Sequence, residues 1–594
     1  MKLKIAIVAA VAALAAVAMT TTAIAGQKGK SQASAKKAGT GGTYRVEWEA
    51  SFDFTDGFDP TGEYLGEAFG IYSNLLVRTL VGYNHVKGAP GNVLVPDAAT
   101  DLGKISNGGK TYTFKIKQGV KFGPPLNRQV TSADFKYAIE RLKDPKMAAG
   151  YGFYYNEVKS VATPDASTVV YNLTKPIGDF RYRLSMPAAG PMPKEVAGCF
   201  TEAAKYGRFV MSTGPYMIAG SDKLDASSCD KVVAAPLAGF DGEKQLSLVR
   251  NPAYEAKTDT TKARENFPDA FTFTVNTNTE DIYAKIARGD IEDEIATETP
   301  TVLREYKGSD QLKTNDGDRT WYLTMNTTQP PFDDVHVRRA ANFVMDREGL
   351  RKAWGGPAAG AVATHIAPDA ILGNKLKGYA PYGNTKGDVN KAKAEMKLSK
   401  YDTNKDGICD AKACKNVFTV QGDGAVRIGM VPVVEASMKK IGVELKTRVL
   451  KDAYTPIQTP RNNIPFSLRP GWGKDYADAT TFYGPLFDGR NIIPKSNTNY
   501  SLLGITPAIA KKVGAKGAIT DAPSVNADLD KCAPLVGGPR VSCYAALDKK
   551  LTTQIVPWVP YLWSYSQTVV SKNVTKWEFD QFGGTIAYAH VAVK

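Results

Sequence analysis

At 594 residues the chain is too long for one ordinary core and is read as two or three domains. Its 43% hydrophobic and 23% charged residues exclude a fibrous or largely disordered protein. The net charge of +15 comes from 75 basic and 60 acidic residues spread along the chain without a basic-aromatic motif, which argues against nucleic acid and for attraction to an anionic cell surface.

Lys2 and Lys4 precede an uncharged run from Ile5 to Met19, and Ala23-Ile24-Ala25 supplies a signal-peptidase pattern. Residues 1–25 are therefore expected to be removed on export, and the lysine-bearing stretch 26–42 to form a flexible leader. The apolar run falls short of the roughly 20 residues that span a bilayer. No cysteine follows it, so no lipid anchor is expected. The six cysteines fit disulfides in an exported chain. Proximity pairs Cys199 with Cys229, Cys409 with Cys414 and Cys532 with Cys543, one of 15 possible connectivities.

From Thr43 the alternation of Tyr44, Val46 and Trp48 predicts a strand. A helix follows over about 67–80, and residues 110–116 alternate as a second strand. Thr131-Ser132-Ala133-Asp134 reads as a helix start with Asp134 in the cap, and Phe135, Ala138, Ile139 and Leu142 then share one face. A later helix opens at Asp333 and Asp334, with Val337, Ala340, Ala341 and Val344 on its inner side. Its Arg338, Arg339, Asp346 and Arg347 are expected in surface or interdomain ion pairs.

In Tyr401 to Lys415, Asp402, Asn404, Asp406, Gly407 and Asp410 occupy positions 1, 3, 5, 6 and 9 of a calcium loop, and Ile408 offers its carbonyl at 7. Position 12, the bidentate glutamate of a full site, is Ala413. Two readings stand: a structural calcium held by Asp402, Asn404, Asp406 and Asp410 with help from another segment, or an ion-free polar loop. Neither makes a cofactor necessary for function.

The stretch Arg469 to Phe487 concentrates Arg469, Trp472, Asp475, Tyr476 and Asp478 around Pro470, Gly471 and Gly473. It reads as an irregular segment lining a pocket, because glycine lets backbone approach a ligand and a carboxylate beside aromatic rings suits an ammonium group. The bland reading is a surface loop whose Trp472 and Tyr476 pack on the core.

Taken in order, the Asp59-Pro60 turn, VPDAA, GGKTYTFKIKQGVKF, VTSADFKYAIERLKDP, STGPY, LVRNPAY, NTTQPPFDDVHVRRAANFVMDR, WGKDYADATTFYGPLF and VPWVPYLW resemble segments of the extracytoplasmic solute-binding proteins of the peptide/nickel transporter class. The resemblance implies an α/β fold with two lobes about a hinge and an extra inserted small domain. Mapped by the motifs, the first lobe takes residues 43–88, 212–318 and 557–594, the insert 89–211, and the second lobe 319–556. It implies a non-enzymatic, monomeric binder that takes a small peptide between its lobes and meets the membrane through the permease of an ABC importer. In the resembled peptide binders, the aspartate three residues after the tryptophan receives the ligand's α-amino group, which falls on Asp475. Arg469 matches a cation position for the carboxylate end, with a structural ion pair to Asp478 as its alternative. Trp472 and Tyr476 become pocket walls. Ala479 departs from the family's common proline.

Other cargoes were weighed on the residues. Four scattered histidines speak against nickel and haem, whereas aromatic walls would also serve an oligosaccharide. A hydrolase lacks support, because neither HExxH nor GxSxG occurs.

Overall fold

The computed structural model describes residues 40–594 apart from 50, 51, 53, 55, 148, 261, 262 and 297. The export signal and nearly all of the leader lie outside the described residues. Among the described residues no helix is long and apolar enough to cross a membrane.

Three sheets organise the molecule. The first is five-stranded, in the order Asp293–Ile295, Thr43–Trp48, Ala270–Val275, Gln245–Arg250 and Tyr216–Ile218. Thr43–Trp48 runs parallel to both of its neighbours, and its alternation buries Tyr44, Val46 and Trp48. The second sheet is small and antiparallel: Lys104–Ser106, Thr111–Lys115, Thr168–Leu173 and Val158–Asp165. Against it packs the helix Ser132–Lys143, which buries Phe135, Ala138, Ile139 and Leu142. Its start is capped by Asp134, which accepts the Thr131 backbone N–H at 2.8 Å. The helix foreseen over 67–80 is shorter, Gly66–Ile71, followed by one wider turn over Tyr72–Leu76 and then extended chain.

The third sheet is seven-stranded and mixed. Its spine is a pair of long antiparallel strands, Leu312–Met325 and Trp558–Val569. Gly471–Gly473 adds to the first of these, with Trp321 opposite Gly471 and Arg319 opposite Gly473. The far end of the pair meets the first lobe, where Glu294 accepts the Val569 N–H at 3.0 Å.

The cores show which parts are packed as one. Residues of the first sheet such as Phe271 and Phe273 share one continuous apolar cluster with Phe114, Phe135 and Tyr171 of the inserted domain. The second lobe has cores of its own, around Leu323, Val337 and Phe466 and around Tyr322, Phe482 and Leu503. Tyr476, from the second lobe, is buried in the first cluster. The helix Val335–Val344 is capped by Asp334, which accepts from His336 N at 2.8 Å, and its foreseen apolar face is fully buried.

Two arginines of this helix region correct the expectation of ion pairs. Arg338 and Arg347 are buried and donate to carbonyls instead: Arg338 to Ile555 and Phe332, Arg347 to Pro560 and Asn342. Only Arg339 makes an ion pair, with Glu395. The reason is geometric, since chain reversals leave carbonyls that no strand or helix satisfies, and a guanidinium fork reaches two at once. The cysteines pair in consecutive order, 199 with 229, 409 with 414 and 532 with 543.

Candidate ligand-binding site

Asp475 lies two residues beyond the strand Gly471–Gly473 and is only 6% exposed. Its Oδ2 accepts the Tyr64 hydroxyl at 3.0 Å and the Tyr154 hydroxyl at 2.5 Å, and its own N–H donates to Thr481 Oγ1 at 2.7 Å. Tyr64 comes from the first lobe and Tyr154 from the inserted domain, so three parts of the chain converge on one carboxylate. Among the described residues no cation pairs with it. Burial pushes its pKa up to about 7, although the Tyr154, Tyr64 and Thr481 hydroxyls act against this.

The neighbouring polar groups form a tie between the lobes. Tyr476 is fully buried and donates to Asp179 Oδ2 at 2.7 Å. Asp179 also receives Arg183 at 3.1 Å and Arg540 at 3.2 Å. Burial opposes ionisation of Asp179, but Arg183 and Arg540 outweigh it and hold the carboxyl down to about 2. Arg540 grips Asp478 with two bonds of 2.8 Å, so the alternative pairing of Asp478 with Arg469 does not occur. Lys474 bonds Asp318 at 2.5 Å, and Gln581 reaches the same carboxylate at 2.7 Å. Asp475 therefore stands without a cation inside a region where the other acidic groups are matched.

Trp472 is 4% exposed and its indole N–H is committed to the Thr481 carbonyl at 3.0 Å. Its ring lies 6.1 Å from that of Tyr64, which stacks on Tyr151 at 4.0 Å. Arg469 sits at the other end of the segment, half-buried, with Nη1 3.1 Å from the Tyr454 hydroxyl and its guanidinium 4.2 Å from that ring. It flanks Gly422, where a Cβ would come within 3.2 Å of Arg469 Cδ and 3.8 Å of Arg427 Cγ. Arg427 in turn lies 4.2 Å from the Trp321 ring, and Arg319 4.6 Å from the same ring. The segment thus carries a cation-free carboxylate at Asp475 and Arg469 at its start, with Arg427 and Arg319 flanking it.

Residues 93–493 match the Bacterial extracellular solute-binding proteins, family 5 Middle. The chain belongs to that family. The dipeptide-binding protein of Escherichia coli (strain K12) is 24% identical over 474 residues, covering 75% of this chain and 79% of that protein. The glutathione-binding protein GsiB of Shigella flexneri serotype 5b (strain 8401) is 27% identical over 289 residues; this alignment takes in 47% of the chain and spans about half of the relative, 48% of its length. The solved structure of clavulanic acid biosynthesis oligopeptide binding protein 2 superposes with a TM-score of 0.74 at 22% identity, covering 93% of this chain and 96% of that one. The fold is that of a two-lobed α/β binding protein.

In this family 5 protein the calcium-like loop closes on itself. Asp402 Oδ2 accepts Gly407 N at 2.8 Å, Asn404 Oδ1 accepts Asp406 N at 3.0 Å, and Asp406 Oδ1 accepts Ile408 N at 2.8 Å. Asp410 takes the Thr403 N–H and hydroxyl. Gly407 has φ +91°, which only glycine adopts freely. Asp402 Oδ1 is buried without a partner, yet among the described residues no three acidic, imidazole or thiolate side chains are arranged to hold a metal.

Sequence reasoning did not find Tyr64, Tyr154, Arg319 or Arg427. The aromatic run Tyr151 to Tyr155 was the one available signal, since a glycine-interrupted tyrosine cluster is unusual for a surface loop.

Proposed function

We propose that this protein is the exported binding component of an ABC importer, capturing a small peptide between its lobes and delivering it to the membrane permease. The observation that carries the reading is Asp475, a buried carboxylate with hydroxyl partners and no cation. A free peptide is a zwitterion, and burying its ammonium without a carboxylate would cost more than binding returns. Asp475 supplies that carboxylate, and Arg469 with its neighbours supplies the cation for the opposite end. The two residues lie six positions apart on a segment that is extended in the middle, a reach of at most roughly 20 Å. That spans an extended peptide of about two to five residues. The dipeptide-binding and glutathione-binding relatives support peptide cargo. A neutral oligosaccharide would need neither charged end.

The protein acts as a monomer without a cofactor and without turnover, and residues 1–25 direct its export. The loop at Asp402 to Asp410 is assigned a structural part, because most of its side-chain oxygens already serve the loop's own N–H groups and Ala413 brings no ligand. Trp472 closes the wall behind Tyr64, and Tyr476 ties the second lobe to Asp179. Hinge closure about the two long strands buries the ligand.

Calorimetric titration of the mature protein with di- to pentapeptides, the same peptides N-acetylated, and neutral oligosaccharides tests this. Free peptides are expected to bind, with acetylation or Asp475→Asn removing most of the affinity. Binding of sugars in place of peptides, or indifference to acetylation, would overturn it.

A further inference from the structure

The arginine group beside the Gly471–Gly473 strand carries more positive charge than one peptide terminus can use. Arg319, Arg427 and Arg469 gather beside the Gly471–Gly473 strand, and among the described residues none of them has a carboxylate within ion-pair distance. Several other buried arginines of this chain do, Arg78 with Asp97, Arg141 with Asp59 and Arg540 with Asp478, while Arg338 and Arg347 spend their donors on carbonyls.

The unsatisfied atoms here are all of one kind. Arg319 Nε, Arg427 Nη1 and Trp321 Nε1 are buried and have no hydrogen-bond acceptor. All three are N–H donors, and they collect around the Trp321 ring, which lies 4.6 Å from the Arg319 guanidinium and 4.2 Å from that of Arg427. Arg427 also lies 4.4 Å from the Trp354 ring. Aromatic faces orient the guanidinium groups and offset part of their charge, but they accept no hydrogen bond in the plane of the fork. Arg427 occupies the first turn of the helix Ala425–Lys439, where the helix dipole adds to the positive potential instead of relieving it. Burial pulls its pKa down to about 10, and Arg469 and Arg319 contribute to this.

An arrangement of buried donors without acceptors is costly unless a ligand completes it. A single α-carboxylate brings one negative charge, which one guanidinium fork can match in a bidentate pair. Two further guanidinium groups then remain. Gly471 lets the Trp321 ring lie flush on the strand, since a Cβ there would come within 2.1 Å of Trp321 Cε3 and would push the ring away from its place between the arginines.

We propose that the preferred ligand ends in an acidic residue, with its α-carboxylate at Arg469 and its side-chain carboxylate received by Arg427, Arg319 and the Trp321 N–H. This rests on the peptide reading and narrows it to peptides with two carboxylates at the carboxyl end.

The test is calorimetric titration of the mature protein with the isosteric pair Ala-Ala-Ala-Glu and Ala-Ala-Ala-Gln. The glutamate peptide is expected to bind at least tenfold tighter, and Arg427→Gln is expected to shrink that gap below threefold. The comparison of the two peptides on the unsubstituted protein needs no variant to fold. Equal affinity, a preference for glutamine, or a gap unchanged by Arg427→Gln overturns this inference alone. Binding of neither peptide, nor of any other free peptide, overturns it together with the peptide reading.

Discussion

At Asp475 the chemistry of a single proton sets two opposite pH dependences. The unfolded aspartate titrates near 3.9, and burial raises the folded group to about 7. Between those values the folded ligand-free protein holds a proton that the unfolded chain has lost. Its stability from this group therefore falls as pH rises from about 4 to 7 and stays low above that. Asp475→Asn cannot ionise, so its melting temperature relative to the unsubstituted protein should rise steadily across that window in a thermal scan series. Peptide affinity runs the other way. Binding an ammonium requires the ionised carboxylate, so affinity should drop close to tenfold per pH unit below about 7, and calorimetry on Asp475→Asn should show a flat profile. At Arg347 the issue is packing. Replacing it by methionine leaves the Pro560 and Asn342 carbonyls unpaired and should cost roughly 2–4 kcal/mol in denaturant unfolding.

At the scale of elements, regular patterning made the sequence informative and long-range pairing did not. The helices Ser132–Lys143 and Val335–Val344 show their inner faces in plain 3.6-residue periodicity, and their caps are spelled in Asp134 and Asp334. Asp475 stands out in a segment of unusual composition, and the resemblance to the family assigns it a role. Its partners were not legible, because Tyr64 and Tyr154 lie 411 and 321 residues away and no local rule reports such a contact. Arg338 and Arg347 escape the expectation of ion pairs for the same reason: one of the carbonyls that each serves belongs to a segment more than two hundred residues downstream. The Asp402 to Asp410 loop shows the reverse difficulty. Its spacing is that of a calcium loop, while most of its side-chain oxygens accept from loop groups and Asp402 Oδ1 alone among them is buried without a partner. Adding millimolar calcium, or a chelator, should accordingly move the melting temperature by less than about 1 °C, whereas a resident ion would add stability by mass action.

For the molecule as a whole, the first lobe and inserted domain share a core and meet the second lobe through polar groups. Asp179 holds that junction from one side, and Arg540, Asp478 and Tyr476 from the other. A buried pair broken from one side typically costs roughly 3–5 kcal/mol; the share lost from Asp478, on Arg540's own side, is common to both arrangements, whereas the share lost from Asp179 across the junction falls on the shut arrangement, because Asp179 keeps Arg183 when the lobes part. Arg540→Gln should therefore enlarge the radius of gyration of the ligand-free protein in small-angle scattering and speed peptide release, with the circular dichroism spectrum unchanged. An unaltered scattering profile would show that the apolar contacts of Tyr476 suffice to keep the lobes together.

The consecutive order of the cysteine pairs bears on how the protein matures. Each bridge joins a cysteine to the next one in the chain, over separations of 30, 5 and 11 residues. A polypeptide threaded through a translocation channel from its amino terminus presents its thiols in that same order. Oxidation of each thiol with the next to emerge gives the native set directly, so a simple thiol oxidase is enough and no isomerase has to correct the product. None of the bridges then spans the cleft, and oxidation leaves the two lobes free to open and shut.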